Sequence, residues 1–279
     1  MKLLYLLGYP VAHSLSPAMQ NAALRALGLG YEYRLMPVPP TELAAKVEEM
    51  RDISVAGFNV TIPHKVAIIP HLDELDETAS SVGAVNTVVN MGGRLRGYNT
   101  DSVASTRVLL EAYGSLGGCR AVILGAGGAA RAVACGLAPH AESITILARD
   151  AVKAEMLAQQ IRRQKGCEIQ GGGLADAAKA INNADLLVNA TPIGMHPGVD
   201  ATPIEAKLIK RGLLVFDLVY NPEKTRLLGD AEAAGARTVG GLRMLVYQGA
   251  EAFNLWTGRQ APVELMIGAA SAALGGAHA

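Results

Sequence analysis

The stretch Arg120-Ala-Val-Ile-Leu-Gly-Ala-Gly-Gly-Ala-Ala-Arg131 decides the fold. Ala121 to Leu124 form a short apolar run bounded by Arg120 on one side and glycine on the other. A strand buried on both faces of a parallel sheet reads this way. Gly125 and Gly127 follow at once, in a G-x-G-x-x-A pattern that closes at Ala130. The first glycine permits a tight turn, and the second lets the backbone approach a pyrophosphate. The small third position lets the next helix lie against the strand, with its N-terminal N–H groups aimed at the phosphates. Glycine patterns arise easily in a chain rich in Ala and Gly, but the strand before this one and the helix after it make it a dinucleotide-binding turn.

Working outward, Ser143–Leu147, Leu186–Ala190 and Leu213–Leu218 are further apolar strands separated by helical stretches, which is the repeat of a doubly wound parallel sheet. Gly171–Gly173 reads as a loop. Before the turn the pattern differs. Lys2–Leu7, Tyr31–Met36 and Val55–Val60 read as strands, Pro17–Leu27 and Thr41–Met50 as amphipathic helices, and Thr87–Met91 with Arg94–Tyr98 as a hairpin about Gly92-Gly93. A helix over Val103 to Tyr113 leads into the glycine turn. Leu242–Trp256 and Val263–Leu274 are Ala-rich helices with no strand after them, so they are expected to pack back on the first sheet. The predicted fold class is α/β with two domains, a Rossmann doubly wound parallel sheet plus a smaller mixed α/β domain.

Composition narrows the function. The 279 residues are enough for two domains. Half are hydrophobic and only 4% aromatic, so the core is aliphatic. A formal net charge of zero gives no electrostatic case for nucleic acid or an anionic membrane. Cys119, Cys135 and Cys167 are odd in number and lack C-x-x-C spacing, which suits buried thiols in a reducing compartment. No apolar run reaches spanning length, and Met1–Tyr9 is too short for a secretion signal and lacks a cleavage site. A cytoplasmic protein is expected, with no nucleic-acid or membrane partner. His64 has no second histidine at metal spacing, and no metal site is expected.

Polar clusters sit where the loops of the first domain should be. Ser14-Leu-Ser16-Pro17 places two hydroxyls near a helix N-terminus, where they either bind a small carboxylate or, in the case of Ser16, cap the helix. Asn59-Val-Thr61-Ile-Pro63-His64-Lys65 puts a lysine behind a proline-fixed turn at a strand's carboxyl end. There it either solubilises the surface or carries protons in a cleft. Gly83-Ala-Val-Asn86-Thr87 and Tyr98-Asn99-Thr100-Asp101 bracket the hairpin. Asn86 needs a partner for its amide among apolar flanks, and Asp101 is a candidate either for catalysis or for a helix cap.

Taken together and in order, these segments resemble the shikimate dehydrogenase family. The likeness continues through Asn189-Ala-Thr-Pro-Ile-Gly-Met195, Asp217-Leu-Val-Tyr220-Asn-Pro222 and Gly240-Gly-Leu-x-Met-Leu-Val-Tyr-Gln248, over nearly the whole chain. The resemblance implies NADPH-dependent, reversible reduction of 3-dehydroshikimate to shikimate, in chorismate and aromatic amino-acid biosynthesis, by a monomer or homodimer. It implies that residues 1–101 and 245–279 form a discontinuous substrate-binding catalytic domain and that 102–244 bind NADP. Ser14 and Ser16 would bind the substrate carboxylate, while Thr61, Asn86, Tyr220 and Gln248 would contact or orient the ring. Lys65 and Asp101 would form the catalytic pair. Glu77 would lie near the cofactor, Leu218 and Gly241 would border the nicotinamide, and Gly125, Ala126, Gly127, Gly128 and Ala129 would cradle the phosphates.

The chain departs from the family pattern after the second strand of the cofactor domain. NADP-dependent relatives carry Asn-Arg-Thr there, with a basic residue three positions beyond the Thr. This chain reads Ala148-Arg149-Asp150, with Lys153 at the basic position. Arg149 and Lys153 suit a 2′-phosphate, whereas a carboxylate beside the ribose ordinarily favours the 2′-hydroxyl of NAD. Asp150 also stands at a plausible helix N-cap. The two cations favour NADP. The alternatives are a quinate/shikimate dehydrogenase using NAD, and a non-catalytic dinucleotide sensor, against which the retained Lys65 and Asp101 argue.

Overall fold

In the computed structural model, which describes residues 1–162 and 167–276, the chain forms two units, Met1–Asp101 with Leu245–Ala279, and Ser102–Met244. The first unit is built from β1 (Lys2–Gly8), α1 (Ser16–Ala26), β2 (Tyr31–Pro37), α2 (Leu43–Glu49), β3 (Val55–Val60), β4 (Glu74–Leu75), α3 (Glu77–Val82), β5 (Thr87–Met91) and β6 (Arg94–Tyr98). Its strands make one mixed sheet in the order β2-β1-β3-β5-β6-β4. β1 runs parallel to β2 and β3, β5 is antiparallel to both β3 and β6, and β4 is parallel to β6. The carboxyl ends of β1, β3, β4 and β6 and the amino end of β5 therefore share one sheet edge.

Every residue of β3 is buried, as a central strand covered on both faces must be. On one face Phe58, Val60, Val88 and Leu95 meet Leu43 and Val47 of α2 and Ala79 of α3. A fully buried side chain of this size stabilises the fold by roughly 1.5–3 kcal/mol. The C-terminal helices α9 (Leu242–Thr257) and α10 (Val263–Gly276) bring further cover, α10 against α1. The Trp256 indole N–H donates to Val88 O at 2.9 Å, and its ring lies 6.0 Å from that of Tyr33.

The second unit follows α4 (Thr100–Tyr113), whose first two residues belong to the first unit. It comprises β7 (Arg120–Leu124), α5 (Gly128–Leu137), β8 (Ser143–Ala148), α6 (Ala151–Arg162), β9 (Glu168–Gly173), α7 (Ala177–Asn182), β10 (Leu186–Asn189), β11 (Leu214–Asp217), α8 (Arg226–Ala233) and β12 (Arg237–Val239). All six strands are parallel, in the order β12-β11-β10-β7-β8-β9. Counted within the unit this is 3-2-1-4-5-6, the doubly wound order, with its topological switch between β7 and β10. Val122, Leu124, Leu187 and Val215 meet Ile181, Leu227 and Leu228 from α7 and α8 in one aliphatic core.

Several boundaries depart from the sequence reading. The mixed sheet has six strands, as many as the parallel one. Helix α4 begins at Thr100 rather than Val103, which places Asp101 inside its first turn. The expected helix from Thr41 opens as a 3₁₀ turn, Pro40–Glu42, before α2. Gly171–Gly173 is not a loop but the end of edge strand β9. A Cβ on Gly171 would stand 2.3 Å from Glu155 N in α6, so the glycine marks a close strand–helix contact. The short strands β4 and β12 carry too few apolar residues for a periodicity signal.

Candidate active site

Lys65, Asn86 and Asp101 converge on the shared edge of the mixed sheet, where β3 and β6 end and β5 begins. Lys65 Nζ donates to Asp101 Oδ2 at 2.6 Å, with side-chain exposures of 16% and 6%. The Lys65 backbone is held in turn, since its carbonyl accepts from Val85 N at 2.7 Å. Asn86 Nδ2 donates to Asp101 Oδ1 at 2.9 Å and to Thr100 Oγ1 at 2.8 Å, and lies 3.3 Å from Gln248 Oε1. Asn86 Oδ1 accepts from Thr100 N at 2.8 Å. Because that N–H only donates, it fixes which end of the amide faces the carboxylate. Both Asp101 oxygens are thus engaged by the site, in place of the helix-capping role that was the alternative.

The serine pair leaves the same edge after β1. Ser14 Oγ donates to Ser16 Oγ at 3.1 Å and accepts from Ser16 N at 3.2 Å. Ser16 is buried and opens α1, whose N-cap position is Leu15 rather than a serine. Thr61 follows β3 directly, its N–H donating to Leu7 O at 2.8 Å. Gln248 sits on α9 with Nε2 on Leu245 O at 2.6 Å. Glu77 is exposed in the first turn of α3, at the edge where β4 ends. His64 is buried with Nε2 2.6 Å from Val38 O, a packing role.

The second unit gathers its candidates at the carboxyl edge of the parallel sheet. Gly125 leaves β7 at φ +111°, and a Cβ there would meet Ala190 O at 3.0 Å, so only glycine turns the chain at the β7–β10 switch. Ala126 continues the turn. Gly127 is extended, and no atom lies within 4 Å of where its Cβ would be. The N–H groups of Gly128 and Ala129, in the first turn of α5, have no partner within their own helix. Open space at Gly127 beside helical donors fits a pyrophosphate.

Arg149 emerges exposed from β8. Asp150 accepts from Lys153 N at 3.1 Å, and Lys153 Nζ lies 3.5 Å from its other oxygen. This is an N-cap on α6, and the Lys153 N–H is the chief reason the Asp150 carboxyl sits below its usual range. Leu218 and Tyr220 follow β11, and Gly241 N donates to Val219 O at 3.3 Å.

Sequence reasoning gave no role to a buried network beneath these loops. Asp217 and Asn189 are both fully buried. Asp217 accepts from Asn189 Nδ2 at 2.9 Å, Val219 N at 3.0 Å and Thr225 Oγ1 at 2.7 Å. Burial pushes its carboxyl above the ordinary range against those three bonds. The available signal was a polar residue closing each of two apolar strands, Asn189 on β10 and Asp217 on β11.

A parallel sheet with a phosphate cradle at its switch point, together with a unit carrying a lysine–carboxylate pair among neutral hydrogen-bonding groups, defines an oxidoreductase of the nicotinamide-dinucleotide class. Family models match in chain order, the shikimate dehydrogenase substrate binding domain over residues 6–88, the shikimate/quinate 5-dehydrogenase model over 107–227 and the shikimate 5′-dehydrogenase C-terminal domain over 241–270. A relative from Methanothermobacter thermautotrophicus named shikimate dehydrogenase (NADP(+)) is 48% identical over 263 residues, 94% of this chain and 93% of the relative. The chain belongs to the shikimate dehydrogenase family. A shikimate dehydrogenase solved in complex with NADP+ superposes with a TM-score of 0.92 at 40% identity, covering 98% of this chain and 96% of that one. The enzyme from Thermus thermophilus, solved with NADP(H) and shikimate, gives 0.86 at 40% identity, covering 98% and 100%.

Proposed function

We propose that this chain catalyses the NADPH-dependent, reversible reduction of 3-dehydroshikimate to shikimate. The observation that carries the reading is the Lys65–Asp101 pair at 2.6 Å, clamped by Asn86 on a sheet edge lined with neutral polar groups. NADPH, held by Gly125 to Ala129 with Arg149 and Lys153 toward its 2′-phosphate and with Glu77, Leu218 and Gly241 along the cofactor, supplies the hydride when bound. As negative charge grows on the substrate oxygen, the Lys65 ammonium donates a proton from Nζ, while Asp101 Oδ2 keeps that nitrogen in place. With 16% of its side chain exposed, Lys65 regains a proton from solvent. Ser14 and Ser16 take the substrate carboxylate. Thr61, Asn86, Tyr220 and Gln248 match ring hydroxyls with donors and acceptors, so an analogue lacking a hydroxyl leaves a buried partner unpaired. Three buried cysteines outside any disulfide fit work in a reducing cytoplasm, as a monomer or a homodimer.

The Asp150 cap supports NADP over NAD, because a carboxylate turned toward its own helix is not offered to a ribose. The test crosses shikimate and quinate with NADP+ and NAD+ in steady state. The expected outcome is highest kcat/KM for shikimate with NADP+, and Arg149→Ala should raise KM for NADP+ at least tenfold while leaving NAD+ use nearly unchanged. A wild-type preference for NAD+ with quinate would overturn the assignment.

A further inference from the structure

Behind Asn86 runs a buried chain of hydrogen bonds that neither substrate nor cofactor is assigned to touch. Tyr33 O–H donates to Asn59 Oδ1 at 2.7 Å. Asn59 Nδ2 donates to Asn86 O at 3.1 Å and to Thr87 Oγ1 at 2.9 Å. The Thr87 hydroxyl proton then points to Asn86 Oδ1 at 3.2 Å. Asn86 Nδ2 donates to Asp101 Oδ1, and Asp101 Oδ2 accepts from Lys65 Nζ. Tyr33, Asn59, Thr87 and Asn86 are 2%, 4%, 0% and 2% exposed, so water does not compete along the line.

Its directions are fixed by chemistry. Asn86 O accepts only, so Asn59 must turn its NH2 that way and its Oδ1 to Tyr33. Thr87, already accepting from Asn59, has one proton left to give, and Asn86 Oδ1 at 3.2 Å is nearer to it than Thr100 Oγ1 at 3.4 Å. The far end is anchored as well, since Asn21 brackets Tyr33 with Nδ2 on its carbonyl and Oδ1 on its N–H, both at 2.9 Å. The relay crosses β2, β1 and β3 to reach β5, and ties the rigid interior of the sheet to the two residues at its edge.

We propose that Thr87, oriented by Asn59 and Tyr33, is a positioning residue for the Lys65–Asp101 pair and acts through the Asn86 amide. The inference rests on the catalytic reading of that pair given above. Thr87→Val keeps shape and removes the hydroxyl, leaving one Asn59 N–H without its partner and Asn86 Oδ1 held by Thr100 alone. Asp101 then loses a fixed donor geometry, and the Lys65 ammonium is held less sharply at the reacting oxygen.

The test compares wild type, Thr87→Val, Thr87→Ser and Lys65→Ala in steady-state shikimate oxidation, with thermal melts and NADP+ binding measured on each. The proposal expects Thr87→Val to lose about tenfold in kcat with NADP+ affinity within twofold of wild type, KM for shikimate to rise by less than kcat falls because Asn86 also meets the ring, and Thr87→Ser to recover most of the turnover. A purely structural residue would instead lower the melting midpoint, with turnover at a permissive temperature intact. Near-normal kcat in Thr87→Val, or no recovery in Thr87→Ser, overturns the relay while a dead Lys65→Ala leaves the pair standing. Full turnover in Lys65→Ala would sink the pair and the relay together.

Discussion

Ser14 and Ser16 stand two positions apart, yet the hydrogen bonds give them different tasks. Ser14 both donates to and accepts from Ser16, which ties the turn, whereas the Ser16 hydroxyl only accepts in this pair and, on the proposed reading, gives its proton to the substrate carboxylate. Carboxylate binding changes little as hydride moves, so both alanine variants should act on KM for shikimate with kcat nearly preserved. A hydrogen bond to a charged group is worth about 1.5–3 kcal/mol, which is roughly a ten- to hundredfold rise in KM. Ser16→Ala should be the larger of the two, and equal, unchanged KM values in both would return the pair to a purely local role. At this scale the sequence was legible in residue type and silent on direction. Asn86 could be singled out by its apolar flanks, and Lys65 and Asp101 by their places behind a proline-fixed turn and at the start of a helix, while their pairing came only with the family resemblance. Thr87 and Tyr33 could not, because a β-branched residue and an aromatic are ordinary strand formers whose hydroxyls reveal nothing until the partner across the sheet is known.

Elements with a strong apolar period were readable, and those held by their neighbours were not. The run from Ala121 to Leu124 and the G-x-G-x-x-A turn fix β7 almost to the residue and announce the helix α5 behind it. β9 escaped because three successive glycines mimic a loop, and the cause lies in another element. Gly171 N donates to Glu155 Oε2 at 3.0 Å, and α6 backbone atoms occupy the place of a Cβ. Gly171→Ala therefore forces α6 and β9 apart, because the obstruction is backbone and no flexible side chain is there to yield. The expected cost is on the order of 1–3 kcal/mol of stability, seen as a lower midpoint in thermal or urea unfolding. An unchanged midpoint would mean that the strand–helix spacing is looser than the distances state. Asp150 is the opposite case, since both of its readings were local and only the geometry of α6 decides for the cap.

Over the whole molecule, ion pairs tune how stability follows pH. Arg120 holds Asp185 through a two-pronged contact at 3.0 Å on each oxygen, joining the amino ends of β7 and β10, and keeps that carboxyl below its ordinary range. Arg51 does the same for Asp73 and Lys224 for Glu232, and the Ser54 hydroxyl and N–H lower Asp52 by hydrogen bonds alone. A carboxyl whose folded value is lowered releases its proton more readily in the native state. Its stabilisation is complete above the unfolded value, about pH 4, and is lost as pH falls through that region. Asp217 runs the other way. Burial raises its folded value, so its ionisation opposes folding at neutral pH, and that opposition disappears as acid protonates it. The lowered groups outnumber it, so the melting midpoint should hold from pH 7 to about 5 and drop below about pH 4.5. Because most of these pairs are exposed, added salt should shallow the drop. Asp185→Asn should flatten it further by removing a contributor to the acid loss, whereas Asp217→Asn should steepen it by removing a term that grows in acid. Circular-dichroism melts of the three proteins from about pH 7 to about pH 3.5 separate these signs. A midpoint that rises on acidification, or an Asp185→Asn profile parallel to wild type, would mean that the buried Asp217 governs the balance and the surface pairs do not.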